Sequence, residues 1–130
     1  GMGSWKKIGF PADAKDILTV GALTHEGLNS PFSSVGPTAD GRVKPDVMAI
    51  GSSTSVVSGS GSIQHDNGTS FSCPTLAGMV ACLWQALPNK TAKQIIDIVR
   101  QAGNNVAHPD NIYGYGAPDF WKAYQSGLNN

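Results

Sequence analysis

The stretch "DNGTSFSCPTLAG", Asp66 to Gly78, sets serine and threonine hydroxyls directly ahead of a run of small and apolar residues. A hydroxyl at a helix start lies beside unpaired backbone N–H groups and the positive end of the helix dipole, where developing negative charge is favoured. Acyl transfer needs that environment: a serine Oγ attacks a carbonyl carbon, and the oxyanion that forms must be held. The same residues have a plainer use, because serine and threonine are also favoured N-caps, and Thr69 or Ser70 could serve as one. A serine hydroxyl is a weak nucleophile without a base, so the histidines bear on the question. His25 lies in "HEGLN", His65 five residues before Ser70, and His108 in "AHPDN". Each reads as a solvated or hydrogen-bonded surface histidine.

The elements that must position Ser70 follow from residue patterning. "ILTVGAL", Ile17 to Leu23, is short, apolar and β-branched, as a buried strand of a parallel sheet would be. From Thr24 to Asp46 the chain turns to Gly, Ser, Pro and Asn, the punctuation of loops, and "DVMAI", Asp46 to Ile50, forms a second strand ended by Gly51. "STSVVSGSGSIQHDNG" alternates weakly on either side of Gly59 and Gly61 and predicts a β-hairpin. From Ser70 to Leu87 the residues are apolar or small around the whole axis, which predicts a buried helix ended by Pro88. Gly68 offers backbone freedom just before it, Pro74 suits a first turn, and Ala77 with Gly78 would allow close packing against a sheet. "TAKQ", Thr91 to Gln94, has capping-box spacing, and the apolar period that follows predicts an amphipathic helix up to Gly103. "NIYGYGAPDF" reads as a glycine-rich turn, after which Pro118 and Asp119 open a short last helix.

Bulk properties remove several function classes. At 130 residues the chain fits one domain with a real core. Nine basic and nine acidic residues cancel, without a basic stripe or acidic tail, so nucleic acid and anionic membranes are not indicated as partners. The longest apolar run, Leu76 to Trp84, is far short of the roughly 18 residues of a membrane span. Pro11 interrupts the only apolar run near the start, so no export signal is read there, and Gly1 before Met2 reads as the remnant of a removed expression tag. Cys73 and Cys82 fall on opposite faces of one helix, about 13 Å apart along its axis, beyond the reach of a disulfide. They are expected to be buried free thiols, with no neighbouring metal-ligand spacing.

The segment Gly68-Thr69-Ser70-Phe71-Ser72-Cys73-Pro74-Thr75-Leu76-Ala77-Gly78 resembles the nucleophile motif of subtilisin-like serine peptidases, Gly-Thr-Ser-x-Ala/Ser-x-Pro-x-Val/Ile/Leu-Ala-Gly. "FPADAKDILTVGAL", "FSSVGP", "KPDVMAIG" and "YGYGAPDFWKAY" are similar to further segments of that family, in its order. Ile50 where the family has Pro, Phe71 where many members have Met, and Cys73 at a commonly small polar position are departures. The resemblance implies an α/β fold, the C-terminal part of a three-layer domain with a parallel sheet and a buried central helix, over residues 2–130. It implies a serine endopeptidase with Ser70 as nucleophile and Thr69 and Gly68 supporting the oxyanion side.

In that family the acid stands in Asp-Ser/Thr-Gly, the base in His-Gly-Thr, and an asparagine completes the oxyanion hole. None of these motifs occurs in this sequence. The expectation is therefore a chain inactive alone, whose partners are the missing N-terminal part of its own catalytic domain, a peptide substrate, and a second copy covering exposed surface. A degenerate relative acting as a binding or structural module is the alternative. No cofactor and no metal are expected, since Asp40, Asp46, Asp66, Asp110 and Asp119 lack calcium-loop spacing. Export of the parent protein is implied by the family alone.

Overall fold

The computed structural model describes residues 6–129; the readings of Gly1, Met2 and Asn130 lie outside them. Both apolar runs form strands as expected, over shorter spans, and they pair with each other. β1 (Val20–Leu23) and β2 (Val47–Ile50) form a parallel pair with Val20 opposite Val47 and Leu23 opposite Ile50. β1 was expected from Ile17, and the reason it starts later is chemical. The Thr19 N–H donates to Asp46 Oδ2 at 2.7 Å, the Thr19 hydroxyl to the Ala12 carbonyl, and Lys44 Nζ to the Ile17 carbonyl. Side chains thus occupy the backbone groups that a longer ladder would use.

The crossover between the strands, residues 24–46, contains no helix. It is pinned where the Ser30 N–H donates to the Ala22 carbonyl and the Ala22 N–H to Ser33 Oγ. Next comes the predicted hairpin, β3 (Thr54–Val57) against β4 (Ile63–Asp66), antiparallel and exposed over β4. Its turn is closed by Ser58 N–H to the Ser62 carbonyl, with Gly61 at φ 84°, a conformation that favours glycine.

Three helices complete the chain. α1 (Thr69–Ala86) lies on β1 and β2, while α2 (Ala92–Gln101) and α3 (Phe120–Leu128) pack together and against it. Leu76, Leu83 and Leu87 from α1 and its end meet Ile95, Val99 and Ala102 from α2, Ala123 from α3 and Val47 from β2. Full burial of each large aliphatic here contributes about 1.5–3 kcal/mol. α2 has the predicted capping box: Thr91 Oγ1 accepts from the Gln94 N–H at 3.2 Å, and Gln94 Oε1 accepts from the Thr91 N–H at 2.8 Å. Asp119 caps α3 by accepting from the Lys122 N–H.

The α/β architecture with a parallel sheet stands; the helix expected to be buried all round does not. Only Ser72, Leu76 and Leu83 of α1 are buried, a single stripe. Cys73 and Cys82 are exposed rather than buried, though free as expected. Gly78 does not pack on the sheet, since an added Cβ would meet nothing within 4 Å. The physical reason is that β1, β2, α2 and α3 all cover the same side. An apolar, uncharged helix shows which surfaces can be buried; it does not say how many of them this chain supplies with a neighbour. Pro74 also falls inside the helix, beyond its first turn, so it withholds the N–H that would otherwise bond the Ser70 carbonyl.

Candidate active site

Ser70 is the second residue of α1 and is exposed, and Thr69, the first, is half-buried. The N-cap is Gly68, and no side chain makes a cap hydrogen bond at this helix start. The reading of Thr69 or Ser70 as an N-cap is therefore overturned. Both residues are already inside the helix, and the Ser70 hydroxyl is not committed to it. Gly68 has φ 162° and ψ 150°, extended backbone open to any residue, so the special backbone angles expected of it are not required.

A relay of backbone bonds fixes this turn to the ends of the parallel strands. The Gly51 N–H donates to the Leu23 carbonyl at 3.0 Å, the Gly68 N–H to the Gly51 carbonyl at 2.9 Å, and the Phe71 N–H to the Gly68 carbonyl at 3.0 Å. A Cβ at Gly51 would stand 2.7 Å from the Gly68 carbonyl oxygen, which is why only glycine fits there. Beside it Asn67 Oδ1 accepts from the Ser53 N–H at 2.7 Å. Ser70 thus stands at the carboxyl ends of parallel strands, where α/β sheets hold their ligands. Beside the start of α1 lies a cleft of about 480 Å³, lined by Thr69, Ser70, Cys73 and Pro74 on one wall and by Pro11, Ala12 and residues 17–20, at the entry to β1, on the other.

The histidines do not reach the serine. His65 Nδ1 lies 3.1 Å from the Ser53 carbonyl oxygen and 3.4 Å from Ser55 Oγ, and His25 Nε2 lies 3.5 Å from the same Ser53 oxygen. His108 sits in the loop between α2 and α3, exposed. Among the described residues no group of three His, Cys, Asp or Glu side chains is placed to hold a metal ion. α1 has no acidic residue in its first turn, so the positive end of its dipole is unopposed there. What this arrangement can do chemically is present a free hydroxyl and the first helix N–H groups to a carbonyl in the cleft. Among the described residues no His, Asp or Glu side chain hydrogen-bonds the Ser70 hydroxyl.

Sequence reasoning missed the buried charges behind the cleft. Lys44 Nζ donates to Asp46 Oδ2 and to Thr19 Oγ1, and Arg100 donates to Asp46 Oδ1. "KPD" was the visible signal, but nothing local in it announces a partner in α2. It also missed Ser72, whose hydroxyl is fully buried without a hydrogen-bond partner.

The sequence model of the Subtilase family matches residues 2–116. The serine protease AprX of Bacillus subtilis (strain 168) is 31% identical over 132 residues, covering 85% of this chain and 30% of that protein. Among solved structures, the CspB protease of Clostridium perfringens superposes with a TM-score of 0.80 at 22% identity, over 94% of this chain and 29% of that one. MycP1 from the ESX-1 type VII secretion system does so with a TM-score of 0.67 at 28% identity, over 82% of this chain and 30% of that one. The chain thus spans about three tenths of the length of each of these proteins.

Proposed function

The chain belongs to the subtilase family of serine peptidases, and from that membership we propose that it carries the nucleophile of a peptidase whose base, acid and second oxyanion donor lie outside these 130 residues. Ser70 Oγ attacks the carbonyl carbon of a peptide bond in the cleft. Its proton passes to an imidazole from the remainder of the parent protein and then to the leaving amine, and water afterwards releases the acyl group from Ser70. The helix-start N–H groups, with Thr69 and Gly68 shaping the turn, hold the oxyanion. The observation that carries this reading is the exposed Ser70 at the second position of α1, in a helix whose cap is Gly68.

Three further readings accompany it. The isolated chain does not turn over substrate, because His25 and His65 are turned to Ser53 and neither contacts Ser70. The remainder of the catalytic domain covers the bare side of α1 in the parent, and in the isolated chain a second copy does so. The parent is exported, a reading supported by the secretion-system origin of the MycP1 neighbour.

The test is labelling by a fluorophosphonate together with peptide hydrolysis, in the parent protein and in its Ser70→Ala variant. Both signals are expected in the first and neither in the second. Retained hydrolysis in Ser70→Ala would sink the assignment. A parent that folds, binds peptide and neither labels nor hydrolyses would establish the non-catalytic module instead.

A further inference from the structure

We propose that Lys15, Arg42 and Tyr115 form a binding site for a phosphoryl-class oxyanion, in a pocket floored by the buried Lys44–Asp46 pair and by Arg100. Four parts of the chain meet there: Lys15 from the turn before β1, Arg42 and Lys44 from the crossover, Arg100 from the last turn of α2, and Tyr115 from the glycine-rich turn. Four cationic side chains thus line the pocket against a single carboxylate, that of Asp46. Its volume of about 380 Å³ falls in the range of small-molecule sites.

The positive charge is not cancelled inside the pocket. Asp46 is shared by Lys44, Arg100 and the Thr19 N–H, so the two cations and one carboxylate of the floor keep a net positive charge. Arg100 also meets Asp97 at 3.4 Å, but that carboxylate is mostly exposed and outside the lining. Arg42 reaches Asp40, likewise outside the lining, through Nε alone, and donates from Nη2 to the Asp13 carbonyl. Its Nη1, the exposed Lys15 ammonium and the Tyr115 hydroxyl have no hydrogen-bond partner among the described residues. Uncommitted donors from three separate segments therefore line one positively charged pocket. A phosphoryl group carries up to two charges and accepts on several sides at once, and a guanidinium edge with an ammonium is a matching set of donors. Inorganic phosphate and a small phosphate monoester present that same group. This site is independent of the role given to Ser70.

The purified chain is titrated separately with sodium phosphate, glycerol 3-phosphate and glutarate at constant ionic strength, followed by calorimetry and by backbone amide NMR. The expected result is one phosphate or phosphate ester per chain, with the signals of Lys15, Arg42 and Tyr115 moving together. Whichever of the two phosphates binds more tightly identifies the source of the group. Lys15→Gln and Arg42→Lys are each expected to weaken binding by about 10-fold. Lys122→Gln removes the same charge from α3, outside the pocket, and leaves binding unchanged. The proposal is overturned if neither phosphate binds, if Lys15→Gln binds as the parent sequence does, if Lys122→Gln weakens binding as much, or if glutarate binds more tightly than both phosphates. Circular dichroism separates loss of the site from loss of the fold, and the exposed Lys15 supplies the variant least able to disturb the fold.

Discussion

Lys44 Nζ lies 2.6 Å from Asp46 Oδ2, and each of the two side chains is only 3% exposed. Asp46 is the more heavily used partner, because it also accepts from the Thr19 N–H and from Arg100, whose Nη2 stands 2.8 Å from Oδ1. One carboxylate thereby joins the entry to β1, the entry to β2 and α2. The Asp46 carbonyl further accepts from the Tyr115 N–H at 2.7 Å, which seats the glycine-rich turn on the same residue.

Asp46→Ala is expected to destabilise the fold by about 3–5 kcal/mol, since it leaves the buried Lys44 ammonium without its counter-charge and the buried Thr19 N–H without its acceptor. Lys44→Met costs less, because Asp46 keeps Arg100 and the Thr19 N–H. Urea denaturation of the two variants checks the order. Equal losses would show that the Lys44 contact alone matters.

Ser70→Ala is expected to leave the midpoint of thermal unfolding unchanged, within about 0.5 kcal/mol, as for other exposed sites. Thr91→Ala, which breaks a capping box made in both directions, is expected to cost about 1 kcal/mol. The pair of measurements separates a free hydroxyl from a cap. A loss of about 1 kcal/mol in Ser70→Ala would return that residue to a structural role.

How far the sequence could be read depended on how local each determinant was. The capping box at Thr91 and Gln94, the turn at Gly61 and the Asp119 cap each act within a few residues, and each is where patterning put it. The Asp46 cluster is not local: its Thr19 and Arg100 partners are 27 and 54 residues away, so β1 and β2 began later than their apolar runs suggested. For Ser70, the motif located the residue, but the structure was needed to show that Gly68 takes the cap. The exposure of Cys73 and Cys82 was hidden for a third reason, that composition records a helix's appetite for burial without its neighbours.

Ser72→Ala is expected to be neutral or to stabilise by up to about 1 kcal/mol. Its hydroxyl is buried without a partner, a cost removed with the oxygen. The site is tight, with Gly51 and the Gly68 carbonyl alongside, so little cavity is left behind. Chemical denaturation decides, and a loss above about 1 kcal/mol would reveal a hydrogen bond to bound water.

Asp40 is exposed, and the Thr38 hydroxyl, followed by Arg42, lowers its carboxyl to about 2. A group depressed on folding favours the folded state above its unfolded value, here the ordinary 3.8, and that contribution fades as pH falls from there through about 2. A carboxyl titration by NMR is expected to show this midpoint, and Thr38→Val is expected to raise it. No change in Thr38→Val would assign the depression to Arg42 alone.

Gly78 tests what covers the bare side of α1. The helix carries no charged residue in its 18 positions, and the chain as a whole has a formal net charge of zero, so nothing electrostatic keeps two copies apart. Met79 and Trp84 add exposed apolar surface to the same helix. Such a surface seeks cover, and association in the isolated chain at micromolar concentration is the expected outcome. Because a side chain at Gly78 meets nothing within 4 Å, Gly78→Lys fits the single chain without strain. It should even favour the helix by a few tenths to about 1 kcal/mol through propensity. Between two copies the same lysine would bury a charge against an apolar face, at a cost of several kcal/mol unless paired. Sedimentation equilibrium is therefore expected to show an oligomer for the parent sequence and a folded monomer for Gly78→Lys. A parent chain that stays monomeric and well folded across the concentration range would refute the association, and an oligomeric Gly78→Lys would move the contact to another face.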